Sequence, residues 1–455
     1  MKLNPNIFRE YDIRGIAGED LDEAIMETLG KTLCAFLQGK LEHNTVVVGR
    51  DGRLTSEAYA AAIIRGITAC GVNVIDIGEV PSPVTYFALN TLDVDGGVML
   101  TASHNPGNYN GLKVAVGHMT IYGEAIQDFR KVAEAGDFPS AATPGTATAL
   151  DLRPVYRERI LSDVKLERKL KVVVDAGNGV GGVTAVPLFE AMGCEVIPLF
   201  CDVDGNFPNH HPDPTKVENC RDLIAAVKEH GADVGIGFDG DVDRLGGCDE
   251  QGDHLPGDRL VALFARQILK EVPGATIIGE VKCSRAMYAD IEKHGGKPLM
   301  WRTGHSHLKA AMIEHHAQLA GEMSGHIFFK HRWYGFDDAV YSAARLLEIV
   351  AAGDEPLSAH LATIPSFPST PELEFDCPDD RKFDLIAAAT RYFQDDLGLN
   401  VVTIDGARIE FEDGWGLLRA SNTSPKLVMR VEAETPARVQ EIRKLIEDKV
   451  AELNH

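Results

Sequence analysis

The sequence predicts an α/β protein with three related domains and a smaller α+β domain at the C-terminus. Three observations support this fold class. A strand–loop–helix–glycine–strand pattern occurs three times, its copies are separated by roughly a hundred residues, and the pattern changes after about residue 365. A chain of 455 residues is also too long for one hydrophobic core, so several domains are expected.

The three copies predict three strand–helix–strand units. They are TVVVGRDGRLTSEAYAAAIIRGITACGVNVIDIG, KVVVDAGNGVGGVTAVPLFEAMGCEVIPLF and ATIIGEVKCSRAMYADIEKHGGKPLMW. In each, a glycine follows the helix, where its freedom to adopt positive φ favours the end of a helix. Each unit is typical of a mixed or parallel sheet covered by helices.

The C-terminal part of the chain has a different pattern. SFPSTPELEFDCP is proline-rich and typical of a linker, and DRKFDLIAAATRYFQDDL predicts a helix. VVTIDGARIEFEDGWGLLRAS and KLVMRVEAE predict hairpin strands, and PARVQEIRKLIEDKVAEL predicts an amphipathic closing helix. We therefore expect four domains, at residues 1–148, 149–251, 252–365 and 366–455.

Composition argues for a cytoplasmic protein that binds neither nucleic acid nor membranes. The formal net charge of −23 opposes general affinity for DNA, RNA or anionic lipid. The eight cysteines are scattered without C-x-x-C spacing, as expected of reduced cytosolic thiols. The N-terminus lacks the apolar stretch of a signal peptide, and no apolar run is long enough to span a membrane.

The segment ADVGIGFDGDVDR predicts a cation site. A buried strand is followed by Asp239, Asp241 and Asp243, which would share one side of an extended segment and offer oxygen ligands to a hard cation. An EF-hand is excluded, because Arg244 stands where that loop needs glycine and a strand precedes the loop. Magnesium is the better candidate, with Arg244 as a phosphate ligand. The alternative is a solvated acidic turn.

The segment TASHNPGNYNG places Ser103 beside His104 after an apolar strand. Serine hydrolases carry their nucleophile in a G-x-S-x-G elbow, which is missing here. Adjacent side chains of extended backbone point in opposite directions, so no Ser103–His104 hydrogen bond is predicted. Ser103 is therefore either a turn residue or the centre of chemistry other than acyl transfer.

Further polar segments offer weaker signals. RASNTSPK has the composition of an anion-binding loop, although it is also ordinary turn chemistry. LAGEMSGHIFF sets Glu322, Ser324 and His326 at alternate positions, as in a sugar-binding segment or the polar face of an edge strand. The two histidines of RTGHSH are not expected to bind zinc, because no further ligand is near.

Taken together, TASHNP, DGDVDR, GEMSGH and RASNTSPK occur in the order and at the intervals of the α-D-phosphohexomutase family, which the whole chain resembles. The loop GEMSGH is similar to that of bacterial phosphomannomutase/phosphoglucomutases. Phosphoglucosamine mutases, the runner-up, more often show GEQSGH, and GTDGIRG where this chain has FREYDIRG. The resemblance also implies that the four domains surround a central cleft.

The resemblance implies reversible conversion of hexose 1-phosphate and hexose 6-phosphate, with mannose or glucose as the sugar. A phosphoserine at Ser103 and a hexose 1,6-bisphosphate intermediate would carry the phosphoryl group, with Mg²⁺ as cofactor and glucose 1,6-bisphosphate as activator. The implied catalytic residues are Ser103, His104, Lys113, Arg14 and Arg244, with the general base open among His104, Lys113 and Arg14. The implied substrate-binding residues are Tyr11, Lys282, His305, Glu322, Ser324, Arg419, Ser421, Asn422 and Thr423. The implied metal ligands are Ser103, Asp239, Asp241 and Asp243.

One residue departs from the family pattern. Val242 stands where the family usually has glycine between the second and third aspartates. We expect the valine side chain to point away from the carboxylates and the backbone of this loop to avoid positive φ. We expect sugar phosphates as the only partners and a monomer, with a dimer as the alternative. A magnesium-dependent sugar-phosphate phosphatase and a non-catalytic sugar-phosphate sensor are the alternatives from other functional classes.

Overall fold

The computed structural model describes residues 3–421 and 425–454. They belong to two compact units. The first combines the chain up to Leu260 with Ser324–Leu361, and the second combines Val261–Met323 with the chain from Ala362 onward. Among the helices of the described residues, none is long and apolar enough to cross a bilayer.

The first unit opens with a mixed seven-stranded sheet in the order β1-β5-β4-β2-β3-β7, with β6 paired to β5. Its strands are β1 (Ile13–Ile16), β2 (Thr45–Arg50), β3 (Asn73–Glu79), β4 (Gly96–Leu100), β5 (Tyr109–Val116), β6 (Met119–Thr120) and β7 (Ala147–Ala149). Its helices are α1 (Glu23–Phe36), α2 (Ser56–Ala69), α3 (Ser82–Thr91) and α4 (Glu124–Ala135). Strands β3, β2 and β4 are parallel, whereas β5 runs antiparallel to both β4 and β1.

A second sheet of the first unit has the order β11-β10-β8-β9. The elements are α5 (Arg153–Asp163), β8 (Lys171–Asp175), α6 (Gly182–Ala191), β9 (Glu195–Leu199), α7 (Arg221–His230), β10 (Val234–Phe238) and β11 (Leu245–Asp249). Strands β9, β8 and β10 are parallel, and β11 returns antiparallel to β10. The turn between β10 and β11 therefore carries the predicted cation-binding aspartates.

Helix α8 (Gly257–Glu271) crosses from the first unit into the second. The second unit continues with β12 (Thr276–Glu280), α9 (Arg285–Lys293), β13 (Lys297–Trp301), α10 (His305–Glu314) and β14 (Leu319–Gly321). Strand β12 pairs in parallel with both β13 and β14. The chain then re-enters the first unit with β15 (Ile327–Phe329), α11 (Ala339–Ala351) and most of α12 (Leu357–Ala362).

The second unit ends in an antiparallel sheet with the order β16-β20-β19-β18-β17. Its elements are β16 (Leu373–Asp376), α13 (Lys382–Arg391), β17 (Asn400–Val402), β18 (Ala407–Phe411), β19 (Gly414–Ala420), β20 (Lys426–Ala433) and α14 (Pro436–Asn454). Apolar residues of α13 and α14, including Leu385 and Ile446, pack on the face of this sheet together with Phe393 from the turn after α13.

The predicted fold class is confirmed: three α/β sheets precede an antiparallel α+β region. The glycines after the three repeated helices, Gly71, Gly193 and Gly295, all adopt positive φ. The linker prediction is partly wrong, because SFPSTPELEFDCP contains β16, which pairs with β20 at the sheet edge. The prolines of the segment, Pro368, Pro371 and Pro378, all stand outside β16 and therefore do not interrupt this pairing.

Candidate active site

The candidate active site begins at Ser103, in the loop after β4, and at Asp239, in the loop after β10. Both loops follow the carboxyl ends of strands in parallel pairs, the edge where α/β sheets bind ligands. The hydroxyl Oγ of Ser103 donates a hydrogen bond to Asp239 Oδ2 over 2.9 Å. Ser103 is only 2% exposed, and Asp239 is fully buried. The structure thus joins the TASHNP and DGDVDR segments.

The structure also brings the three aspartates together. Ligand atoms of Asp239, Asp241 and Asp243 lie within 4.8 Å of one another, and all three side chains are buried. The predicted backbone arrangement was wrong, because the three aspartates do not lie at alternate positions of an extended segment. The segment forms a tight turn, in which the N–H of Val242 donates to the carbonyl of Asp239 over 3.2 Å.

The backbone of Val242 contradicts the expectation that this loop avoids positive φ. Its φ is +69°, a conformation rarely adopted by a β-branched residue. The turn must reverse direction between Phe238 and Leu245, which are paired across β10 and β11. Val242 is fully buried, and a residue outside the turn also fixes its backbone, because the carbonyl of Val242 accepts the N–H of Ala339 over 3.4 Å. The surrounding fold therefore maintains a strained turn that a glycine would adopt freely.

Lys113, on β5, supplies positive charge to this acidic cluster. Its ammonium Nζ lies 2.6 Å from Asp241 Oδ2 and 2.5 Å from Asp243 Oδ2. Although burial opposes it, attraction to Asp241 and Asp243 raises the pKa of Lys113 well above its ordinary range. Burial and the neighbouring carboxylates raise the pKa of Asp239 well above its ordinary range. Lys113 is therefore charged, and repulsion from the neighbouring carboxylates disfavours the ionised form of Asp239.

The cluster fits a divalent cation. Within the described residues, Asp241 Oδ1 is buried without a hydrogen-bond partner, whereas Asp241 Oδ2 accepts from Lys113 and from Ser82 Oγ. A buried carboxylate oxygen without a donor is costly unless a cation binds it. Three carboxylates and a serine hydroxyl are the hard oxygen ligands that Mg²⁺ prefers. Asp239, Asp241, Asp243 and Ser103 are therefore the residues that could hold the metal.

His104 lies against Ser103, contrary to the sequence prediction. Its ring nitrogen Nδ1 is 3.0 Å from Ser103 Oγ. The predicted separation assumed extended backbone, but Ser103 has a φ of +52°, which brings two consecutive side chains to the same side. Burial, together with the charges of Arg244 and Arg14, holds the pKa of His104 well below its ordinary range. The imidazole is therefore neutral near pH 7 and able to accept a proton.

Two arginines complete the group in the first unit. Arg14, on β1, donates from Nη1 to Asn105 Oδ1 in the serine loop over 2.7 Å and is paired with Asp12. Arg244 follows the aspartates, and its backbone N–H donates to Asp239 Oδ1 over 3.1 Å. Its guanidinium Nε lies 3.4 Å from the ring of His326.

The remaining predicted residues of the first unit take different positions. Ser324 Oγ lies 3.3 Å from Nδ1 of His326. The other ring nitrogen of His326, Nε2, lies 3.2 Å from Asp243 Oδ1. The segment GEMSGH is thus a loop between β14 and β15, and His326 belongs to the aspartate cluster. Tyr11 is half-buried in the turn before β1.

A second group forms inside the second unit. Glu322, almost fully buried, accepts the N–H of Gly304 over 2.6 Å through Oε1. Lys282 is also buried, and its ammonium lies 2.7 Å from Glu372 and 3.8 Å from Glu280. Although burial opposes it, Glu280 and Glu372 raise the pKa of Lys282. His305 begins α10, immediately after Gly304.

Arg419 joins this second group through Thr303, the residue before Gly304. Its guanidinium Nε donates to Asp405 Oδ2 over 3.0 Å, and that carboxylate oxygen also accepts the N–H of Thr303 over 3.1 Å. Ser421 follows β19, and its carbonyl accepts from Lys382. The predicted ligands Asn422 and Thr423 lie outside the described residues. The second unit thus gathers Lys282, Glu322 and Arg419 around residues 303–304.

Several partners of these residues are absent from the sequence predictions. Ser82 donates its hydroxyl to Asp241 over 2.5 Å and its N–H to the carbonyl of the same residue over 2.9 Å. The only local sequence signal for it is a serine between two prolines, in VPSPV. Asp405 and Glu372 show no local signal, because only the fold of the second unit brings them to Arg419 and Lys282.

Comparison with known proteins covers nearly the whole chain. Four phosphoglucomutase/phosphomannomutase domains match in order: alpha/beta/alpha domain I at residues 5–138, domain II at 154–252, domain III at 256–367 and the C-terminal domain at 372–449.

Individual relatives agree with this match. A phosphomannomutase/phosphoglucomutase of Pseudomonas putida is 49% identical over 97% of this chain and 94% of its own length. A phosphoglucomutase of Neisseria gonorrhoeae is 45% identical over 97% of this chain and 96% of its own. The crystal structure of a phosphoglucomutase/phosphomannomutase family protein from Burkholderia thailandensis superposes with a TM-score of 0.92 at 44% identity, covering 99% of this chain and 98% of that one.

Proposed function

The chain belongs to the phosphoglucomutase/phosphomannomutase family, and from that premise we propose that it interconverts hexose 1-phosphates and hexose 6-phosphates of glucose and mannose. The observation that carries the proposal is the buried contact of Ser103 Oγ with Asp239 inside a cluster of three carboxylates. A serine held there can carry a phosphoryl group whose charge a bound cation and nearby arginines neutralise.

The proposed reaction consists of two phosphoryl transfers. In the first, the bond between phosphorus and Ser103 Oγ breaks while a bond forms from phosphorus to the free hydroxyl oxygen of the sugar. The sugar hydroxyl gives up its proton, and Ser103 Oγ takes one up. The resulting hexose 1,6-bisphosphate binds again with its ends exchanged. Its other phosphate is then transferred to Ser103 Oγ, which gives up its proton, and the freed sugar oxygen takes up a proton. Glucose 1,6-bisphosphate would phosphorylate an idle enzyme by the same second step.

Among the three candidate bases, we assign His104 to the proton of Ser103 Oγ, which it donates when the phosphoryl group leaves and accepts when the group returns. Its neutral ring lies 3.0 Å from Ser103 Oγ, at the oxygen where the phosphoryl group arrives and leaves. Lys113 is charged and engaged by Asp241 and Asp243, and the guanidinium of Arg14 offers only hydrogen-bond donors. Mg²⁺, when bound by Asp239, Asp241, Asp243 and Ser103, would supply positive charge to the transferring phosphoryl oxygens.

The second group of residues would bind the substrate. Glu322 offers a carboxylate suited to two neighbouring sugar hydroxyls, which glucose and mannose share because they differ only at C2. Lys282, His305 and Arg419 offer cationic or hydrogen-bonding groups to phosphate, together with Ser421, Asn422 and Thr423. Tyr11 and Ser324 are further proposed substrate ligands, and Arg244 is a proposed phosphate ligand at the reacting centre.

We further propose a cytoplasmic monomer with four domains at the predicted boundaries. All eight cysteines are free thiols, in keeping with a reducing compartment. The acidic chain would hold its sugar phosphates through local positive charge at the two groups of residues described above.

One assay tests the proposed function. The protein is given glucose 1-phosphate, Mg²⁺ and a trace of glucose 1,6-bisphosphate, and products are separated. Glucose 6-phosphate supports a mutase, free phosphate indicates a phosphatase, and unchanged substrate indicates a binding protein. The Ser103→Ala variant should keep its fold, lose turnover, and show no added phosphate in its intact mass. Activity of that variant within about tenfold of wild type, a loss of roughly 1.4 kcal/mol, would contradict the role of Ser103.

A further inference from the structure

Arg53 lies in the loop between β2 and α2, beneath the serine loop, and is 3% exposed. A guanidinium carries five N–H donors. In Arg53, Nη2 donates to the carbonyls of Ser103 and Asn105 over 2.8 and 2.7 Å. Nη1 donates to the carbonyls of Pro106 and Tyr109 over 2.7 and 2.9 Å. Four of the five donors therefore hold the backbone of residues 103–109.

The fifth donor fixes the guanidinium itself. Arg53 Nε lies 3.1 Å from Asp51 Oδ2, and both side chains are nearly fully buried. Asp51 Oδ1 accepts the Arg53 N–H over 3.1 Å and the Ser56 hydroxyl over 2.6 Å. The ring of Phe207 covers the guanidinium, with 5.3 Å between its centroid and Cζ. The arginine is thus a rigid support, because every donor is used and its counter-ion is anchored.

The backbone that Arg53 holds is strained at the reacting residue. Ser103 has a φ of +52°, a strained conformation for a residue with a side chain, which persists only where the surrounding structure imposes it. That conformation directs Ser103 Oγ toward Asp239 and places His104 beside it. The carbonyl of Ser103 is the atom through which Arg53 acts directly on this conformation.

We propose that Arg53 is a positioning residue for phosphoryl transfer, which holds Ser103 in its left-handed conformation by clamping the carbonyls of the serine loop. This inference rests on the proposed function. Because Arg53 touches the loop backbone and not the substrate, its loss should slow transfer and leave substrate binding largely unchanged. A displacement of the reacting oxygen of about 1 Å lowers such rates by roughly a hundredfold.

The test compares Arg53→Lys with a matched control, Arg345→Lys. Lysine keeps the charge but lacks the planar fork that reaches four carbonyls. Arg345 is equally buried, on α11, and binds Glu348 and the Tyr341 hydroxyl, far along the chain from the serine loop. We expect Arg53→Lys to lower kcat for glucose 1-phosphate about a hundredfold with KM within about threefold of wild type. Arg345→Lys should leave both constants near the wild-type values.

A spectroscopic measurement separates positioning from general loss of stability. The ³¹P resonance of the phosphoserine should move or broaden in Arg53→Lys and stay unchanged in Arg345→Lys. An active wild type combined with an Arg53→Lys variant whose kcat is within about threefold of it would overturn the proposal. Equal losses in both variants would overturn it too, by showing a general effect of buried arginine. An inactive wild type would instead refute the proposed function.

A second variant decides the matter if Arg53→Lys does not fold. Asp51→Asn keeps an acceptor for the Ser56 hydroxyl and leaves the guanidinium in place, but removes the charge that orients it. We expect a drop in kcat of about tenfold with little change in KM. A kcat within about twofold of wild type would show that the loop keeps its geometry without this support.

Discussion

The ammonium of Lys113 lies 2.5 Å from the carboxylate of Asp243, and both side chains are only 2% exposed. The same ammonium lies 2.6 Å from Asp241. One lysine therefore compensates two buried carboxylates, while the third, Asp239, receives hydrogen bonds from Ser103 Oγ and the Arg244 N–H. A bound cation and Lys113 thus stabilise the same negative charge.

Replacement of Lys113 by methionine should make folding depend on magnesium. Loss of one partner from a buried ion pair costs about 3–5 kcal/mol, because the other charge stays buried. Mg²⁺ should restore part of that loss through binding to the folded state. The measurement is thermal unfolding with chelator and with excess Mg²⁺. We expect a larger magnesium-induced rise in Tm for Lys113→Met than for wild type.

Lys449→Met is the control for this experiment. Lys449 is also largely buried, on α14 of the second unit, and pairs with Glu452. Its magnesium response should match that of wild type. A Lys113→Met protein whose Tm responds to Mg²⁺ no more than wild type would show that the lysine and the cation do not share the carboxylates.

Asp241→Asn should weaken magnesium binding at least about tenfold, since it removes the charge of a ligand whose Oδ1 receives no hydrogen bond from the residues that the structure describes. Isothermal titration with Mg²⁺ measures the affinity. The control is Asp249→Asn, at the other end of β11, where the carboxylate accepts the N–H groups of Gln251 and Asp253. Equal affinity in the Asp241→Asn and Asp249→Asn proteins would refute the three-aspartate site.

The sequence predicts which segments meet at this site better than it predicts how they meet. The motif order identifies Ser103 and the three aspartates, because chemistry restricts residue type at those positions. The positive φ of Ser103 and Val242 is not predictable from residue type, since both conformations are imposed by contacts from elsewhere in the fold. The Ser103–His104 contact is a direct consequence of one of them.

Partners distant in the chain explain most of what the sequence does not reveal. Arg53 stands only two residues from Asp51, yet its role depends on carbonyls some fifty positions later. Strand order in the first sheet brings β2 beside β4, and so places the two loops together. The four-domain fold class, by contrast, follows from repeated strand–helix–strand patterns, which depend on local hydrophobic periodicity.

Asp338 should make stability depend on pH. Burial raises its pKa from 3.8 to about 7, although it accepts hydrogen bonds from the Tyr156 hydroxyl, the Trp333 indole and the Tyr341 N–H. Because the pKa of Asp338 is higher in the folded state than in the unfolded state, protonation of this carboxyl stabilises the folded protein. This contribution to the free energy of unfolding is full below pH 3.8 and is lost as the pH rises through about 7.

Asp338→Asn should remove that dependence. When the pH is lowered from about 8 to about 5, the free energy of unfolding of wild type should rise by roughly 2–3 kcal/mol relative to that of the variant. Urea unfolding of both proteins at several pH values, followed by tryptophan fluorescence, gives the comparison. Parallel pH profiles for the two proteins would mean that the three hydrogen bonds keep the carboxylate ionised across this range.

Arg419 is expected to bind the phosphate that is not being transferred. It is 6% exposed at the end of β19, and its charge is shared with Asp405. Arg419→Ala should weaken binding of both glucose 1-phosphate and glucose 6-phosphate about ten- to a hundredfold, the value of a charge-assisted contact. The bisphosphate should also escape before its second transfer, so turnover should require much more added glucose 1,6-bisphosphate.

Asp405→Asn distinguishes a phosphate ligand from a structural anchor. The amide oxygen can still accept the Thr303 N–H, which lies 3.1 Å from the carboxylate, while the guanidinium of Arg419 loses its counter-ion. If Arg419 binds phosphate through its charge, this variant should bind sugar phosphates as tightly as wild type or more tightly. A single-turnover experiment with phosphate-labelled enzyme then measures release of labelled bisphosphate, which should rise in Arg419→Ala only. If both variants release it equally, the Arg419–Asp405 pair serves to hold residues 303–304, and the phosphate is bound elsewhere.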